Sequence, residues 1–322
     1  MPHDVSTAPD PQGRHAEGWT GIPGPAWREI LARTADDFSQ KNLSLVAGGA
    51  TFFLLLAIFP ALAAFVALYG LLFDTAAVER QVAALEGFLP PSATELLSGE
   101  LERLAETSSA SLGLAFVAGL LVALWSANAG VKALLSAMNV VWEEREERGF
   151  VRLTLVSFAF TLGGLLVVGV LVASVAVVPA VLGAVGLGSA GAWAITILRW
   201  PVLLVLIAAA VALLFRYGPS RTPARWRWIV WGAFATTIAI VTVAGAFSFY
   251  LANFADYNAT YGTLGAVIGL MMWTYLSLLV LLLGAALSAE AEHQVATDTT
   301  IGAAKPLGRR GAAMADAVAG RR

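Results

Sequence analysis

The sequence carries few charges within its apolar stretches, and those few limit the chemistry it could do. Lys132 is preceded by Trp125 and Asn128 and followed by Ser136 and Asn139. Steps of three and four residues put all five on one face of a helix. Lys132 stands eleven residues before Glu143, or about 16 Å at 1.5 Å per residue. A charge in lipid is costly, so it marks a functional site by default. This polar stripe reads as a site facing the interior of a bundle. The alternatives are hydrogen bonding between helices, for which Ser and Asn are suited, and a lysine that snorkels to the headgroups.

A second polar group surrounds Arg199, which is followed by Trp200 and Pro201. Asn253, Asp256, Tyr257, Asn258, Thr260 and Tyr261 stand at the mouth of a long apolar run that closes near Glu290. With Arg199 they read as an outer vestibule for a headgroup or an anionic solute. The plainer reading is a structured hairpin. In it Asn253, Asn258 and Thr260 hydrogen-bond backbone near lipid, and Gly262 and Gly265 allow a sharp turn. Arg199 and Trp200 also suit an interfacial anchor. An unpaired charge at low dielectric is expensive, and Asp256 is the acid nearest to hand. Arg199 and Asp256 are therefore expected to approach each other or to share a water-filled pocket.

Other chemistries find no residues. There is no cysteine, and His3, His15 and His293 all lie in polar segments, so neither a thiolate nor a helical metal-ligand pair is available. The glycines of "GGLLVVG" at 163–169 lie inside an apolar run and cannot form a phosphate loop between a strand and a helix. A net charge of −2 gives no basic surface for nucleic acid. The expectation is a protein without enzymatic activity, metal or cofactor.

The elements that must position these residues are membrane helices. Of 322 residues, 58% are hydrophobic and 13% charged, against about 25% charged in soluble domains. The expected class is all-α and polytopic, with six transmembrane helices near 44–73, 111–140, 152–178, 192–216, 228–251 and 262–289, each long enough for a bilayer. The charge-free run 153–198 is too long for one helix, and Pro179 with Gly183, Gly186, Gly188 and Gly191 is expected to break it. Sixteen Lys and Arg fall in the tails and the second and fourth loops, and only Arg80 and Arg103 in the opposite loops. The positive-inside rule then places both termini in the cytoplasm.

Outside the spans, Trp27, Ile30, Leu31, Ala35 and Phe38 recur at helical spacing, which predicts an amphipathic helix on the inner leaflet or packed on the end of the bundle. The loop 74–110 predicts two short amphipathic helices, the second opened by the capping box Ser92 to Glu95. "WRW" at 226–228 reads as an interface anchor. Residues 1–24 and 293–322 read as disordered cytoplasmic tails, leaving 25–292 as the membrane domain.

The blocks "LVAGGATFFLLLAIFPAL" (45–62), "ALWSANAGVKALLSAMNVVW" (123–142), "LRWP" (198–201), "ALLFRYGPS" (212–220), "RWRWIVWGA" (225–233) and "FADYNATYGTLGAVIGLMMWTYLSLLVLLLGAALSAE" (254–290) resemble the YihY/BrkB family of bacterial inner-membrane proteins. The resemblance implies a six-helix protein of the bacterial cytoplasmic membrane. It also brings the labels ribonuclease BN and serum-resistance or virulence factor. A hydrolytic nuclease needs a metal or a histidine acid–base pair in water, and the sequence supplies neither. At Ala129 the chain departs from an arginine common in that family. The reading reached is a protein that handles lipid or envelope material, as a transporter or flippase, with membrane lipids as partners. Its rival is a scaffold that binds envelope proteins or further copies of itself.

Overall fold

The computed structural model describes residues 10–56, 112–185, 189–253 and 265–320. Every regular element among them is helical. In chain order they are a 3-10 turn at Trp19–Gly21, α1 (Gly24–Gln40), α2 (Leu43–Leu56), α3 (Leu112–Val141), α4 (Phe150–Val185), α5 (Ser189–Tyr217), α6 (Trp226–Asn253), α7 (Gly265–Gln294) and the single turn α8 (Ala313–Asp316). Four helices contain stretches long and apolar enough to cross a membrane: Phe150–Leu171, Ile197–Tyr217, Trp226–Leu251 and Val267–Gln294. Of the other two expected spans, 111–140 corresponds to α3, and 44–73 begins as α2 and passes outside the described residues after Leu56. The loop 74–110 and its two expected helices also lie outside them.

Helices α6 and α7 pack most closely, followed by α5 with α6; α4 bridges α3 and α5, and α3 also touches α7. The core they enclose is apolar: Leu135, Met138, Trp142, Phe215, Ile229, Leu282, Ala285 and Ala289 are all buried. The outward faces are apolar too. Leu155, Leu162 and Leu166 on α4, Val202 and Val205 on α5, and Phe234, Ile238 and Val241 on α6 are all exposed. Water would penalise so large an apolar surface, and lipid does not.

Of the residues expected to break the run 153–198, Pro179 and Gly183 lie inside α4 and Gly191 inside α5, while Gly186 and Gly188 lie outside the described residues. Helix α4 continues through Pro179 and Gly183 to Val185. A proline forfeits one backbone bond, whereas an irregular segment in lipid would forfeit several.

The tails are the larger correction, because residues 10–24 and 294–320 are folded. Arg310 is buried, and its guanidinium donates to the carbonyls of Ala296, Thr297, Lys305 and Ala315. Asp316 accepts the backbone N–H groups of Arg310 and Gly311, and Met314 enters the main core. The N-terminal segment lies across the same end: Trp19 Nε1 donates to Trp228 O, and Gln294 Nε2 donates to Gln12 O. Ordering here comes from side chains bonded to backbone, which leaves no apolar period in the sequence. Trp228 is fully buried, so of the two tryptophans of "WRW" only Trp226 stands at a surface.

Helix α1 buries Ala26, Ile30, Thr34 and Asp37, one face at steps of three and four. It packs on α7 and leaves Leu31 exposed. Arg33 pairs with Glu290 and donates to Gln294 Oε1 at 2.7 Å. Burial raises the pKa of Asp37, against its bond from Lys41. Lys41 ties α1 to the end of α3 through the Val141 carbonyl and Glu143.

Candidate functional site

The five residues of the polar stripe share one side of α3 but not one environment. At 100° per residue they fill an arc of about 80°. Asn128 and Asn139 lie on the inner edge of the arc and are buried; Trp125 and Ser136 lie on the other edge and are exposed; Lys132 stands between them. The stripe therefore straddles the margin of the α3–α4 contact.

Asn128 is only 3% exposed. Its Oδ1 accepts from Ser157 Oγ at 3.1 Å, and its Nδ2 has no partner. Lys132 Nζ donates to Thr154 Oγ1 at 3.3 Å and lies 5.9 Å from the Trp125 ring centroid and 5.5 Å from that of Phe150. Phe150 is the first residue of α4, so the amine reaches toward the helix ends rather than deep into the bundle. One long hydrogen bond and two ring faces compensate it weakly. An anionic group approaching past Trp125 would add the missing charge.

Asn139 belongs to a different structure. Its Nδ2 donates to Glu146 Oε2 at 2.9 Å, and its Oδ1 accepts from Ser220 N at 2.7 Å. Arg148 grips Glu146 through Nε and Nη2 and also donates to the carbonyls of Tyr217 and Gly218. These bonds join the loop after α3 to the loop after α5. The Arg148 hydrogen bonds hold the Glu146 pKa down, from 4.5 to about 2. Because the folded value is depressed, this stabilisation is complete above about pH 4.5 and fades as the pH falls toward 2. Pepsin is therefore expected to cut beside Trp142 and Phe150, which bound the segment 143–149, increasingly fast over that fall. Glu146→Gln should cut fast throughout, with no dependence on pH beyond that of the protease.

Arg199 does not join the stripe. Its Nη1 donates to the Ser174 carbonyl at 3.2 Å, its Nε is buried without a partner, and its guanidinium lies 5.2 Å from the Trp200 ring. Both cations lean on α4, Lys132 at Thr154 and Arg199 at Ser174. Twenty residues of helix separate those points by about 30 Å, so they are two local sites. Asn253 bonds its own helix, Nδ2 to Phe249 O at 2.8 Å. Asp256, Tyr257, Asn258, Thr260 and Tyr261 lie outside the described residues, and so does the expected approach of Arg199 to Asp256.

One buried polar arrangement among the described residues has no counterpart in the sequence reading. Arg221 donates to both oxygens of Glu292, at 2.8 and 2.9 Å, with both side chains 0% exposed. Its guanidinium lies 5.2 Å from the Trp142 ring, and Thr299 Oγ1 donates to Glu292. Ala313 N donates to Glu144, whose pKa burial raises. Arginines in a loop and glutamates at the end of an apolar run read as solvated charges; the folded tail is what covers them.

No group of three or more His, Asp or Glu among the described residues is arranged to hold a metal. No solved structure matches the chain. The ribonuclease-like protein YfkH of Bacillus subtilis is 30% identical over 271 residues, covering 81% of this chain and 93% of that one. A UPF0761 membrane protein of Verminephrobacter eiseniae is 30% identical over 276 residues, and one of Aromatoleum aromaticum 28% over 271. This chain spans 62% and 65% of the length of those two. The family described as virulence factor BrkB matches residues 34–307. With that match over most of its length and four apolar helices fit to cross a bilayer, the chain is a multi-pass membrane protein of the BrkB family.

Proposed function

We propose that this protein handles lipid or anionic envelope material at the bacterial cytoplasmic membrane, moving it as a transporter or flippase without enzymatic turnover or a cofactor. The observation that carries the reading is the open edge of the α3 stripe. There a weakly compensated Lys132 lies beside the exposed Trp125 and Ser136, with the unpartnered Asn128 amide buried on its inner side. A polar seam on the lipid-facing margin of a membrane helix gives a headgroup something to hold while its tails stay in lipid. We take the chain to cross the membrane six times with both ends inside. The gathering of both terminal segments and the loops after α3 and α5 at one end supports this, as does the Lys and Arg bias.

The test is reconstitution into liposomes that hold phosphatidylglycerol or phosphatidylethanolamine with a quenchable headgroup label. The purified protein should expose inner-leaflet label to an external quencher. Lys132→Ala should slow this about tenfold, the equivalent of about 1.4 kcal/mol. Val140→Ala, on an exposed apolar position of α3, should leave the rate unchanged. No transbilayer movement with the wild type would overturn the reading and favour the scaffold.

A further inference from the structure

The buried charges at the loop end of the bundle are mostly matched. Arg33, Arg148, Arg221 and Arg310 each find a carboxylate. Arg216 does not. It lies in the last turn of α5 and is only 8% exposed. Its Nε and Nη1 are sealed from solvent with no hydrogen-bond partner, and Nη2 is the one guanidinium nitrogen outside that sealed set. What surrounds it is aromatic. The guanidinium carbon lies 4.3 Å from the Trp226 ring centroid and 5.3 Å from that of Tyr217. Those contacts offset only part of the cost of a buried cation without a counter-charge.

The position says what could supply the charge. One candidate span ends at Tyr217 and the next begins at Trp226. Both rings are about half exposed, at 42% and 45%, and they stand edge to face 6.5 Å apart. Exposed Tyr and Trp at the ends of spans sit at headgroup level. A planar guanidinium at that level matches phosphate oxygens in pairs. We propose that Arg216, roofed by Trp226 and Tyr217, is a binding site for a phosphate group, filled in the membrane by the phosphate of an anionic lipid headgroup. One oxygen meets Nη2, and a sideways turn of the Trp226 ring gives a second oxygen Nη1. The site needs no lipid movement, so it can stand where the α3 reading falls.

The experiment uses the full chain in a zwitterionic detergent, with native mass spectrometry to count ligands and thermal unfolding to read stability. The probes are short-chain phosphatidylglycerol, short-chain phosphatidylcholine and inorganic phosphate. Phosphatidylglycerol should bind the wild type and raise its unfolding temperature, and Arg216→Met should weaken that binding at least tenfold. Without lipid, Arg216→Met should be as stable as the wild type or more so, because it removes an unpaired buried charge. Trp226→Ala should weaken binding severalfold and gives a second reading where the first variant folds poorly. Competition by millimolar inorganic phosphate would mean that the phosphate group alone is recognised; no competition would mean that the lipid headgroup is required, and either supports the site. Equal binding of phosphatidylglycerol by the wild type and both variants would overturn it, as would an Arg216→Met protein that is less stable without lipid and still gains fully from it.

Discussion

Glu292→Ala should cost about 3–5 kcal/mol, the range for removing one partner of a buried ion pair. Arg221 holds Glu292 through two parallel hydrogen bonds, and neither side chain touches solvent. Truncating the acid strands a guanidinium that cannot shed its proton, between Trp142 and the folded tail. Thr299 loses its acceptor in the same step, so the segment from 295 onward should loosen with the bundle end. Unfolding in detergent should show the loss, and limited proteolysis should cut 294–320 before any helix. The double variant Arg221→Met, Glu292→Leu should recover most of the stability, since no charge is then left in the low-dielectric pocket. A single variant within about 1 kcal/mol of wild type would mean that water reaches Arg221.

Apolar runs interrupted by basic loops were enough to outline α3 to α7, because lipid demands long uninterrupted hydrogen-bonded helices. The stripe on α3 was legible as one face and not as one site. Periodicity gives the angle of Asn128 and Asn139 around the helix; it does not say that Ser157 meets the first and Ser220 the second. The order of the C-terminal tail is not legible, because Arg310 and Asp316 impose it through backbone groups. The pairing of Arg221 with Glu292 joins residues 71 apart, and no local pattern announces such a partner. In the sequence Arg216 is one of the sixteen cations that set orientation, and its burial against Trp226 is what separates it from them.

The same α7 that ends in Glu290 and Glu292 approaches α6 through small residues, and its placement depends on them. A Cβ on Gly284 would collide with Thr236 Oγ1 and stand 2.7 Å from Cγ2 and 2.8 Å from Cβ of that residue. One turn on, a Cβ on Gly232 would run into Ser288 Oγ and stand 3.0 Å from Trp19 Cζ2. Small residues four apart on both helices let the backbones meet closely, which is how membrane helices gain packing without a hydrophobic drive. Gly284→Ala gains about 1 kcal/mol in helix propensity. It should still destabilise the protein, because rotating Thr236 moves Oγ1 and Cγ2 but leaves its Cβ where it is. The helices must part, and overpacking of that kind costs about 1–3 kcal/mol; Gly284→Leu should exceed it. Parting α6 from α7 also shifts Glu290 and Glu292 against Arg33 and Arg221, so the tail should become protease-sensitive here too. Thr236→Gly removes the obstructing Cβ and should restore Gly284→Ala, whereas Thr236→Ser keeps it and should not. Equal unfolding temperatures for wild type and Gly284→Ala would show that the two helices stand further apart than this interface requires.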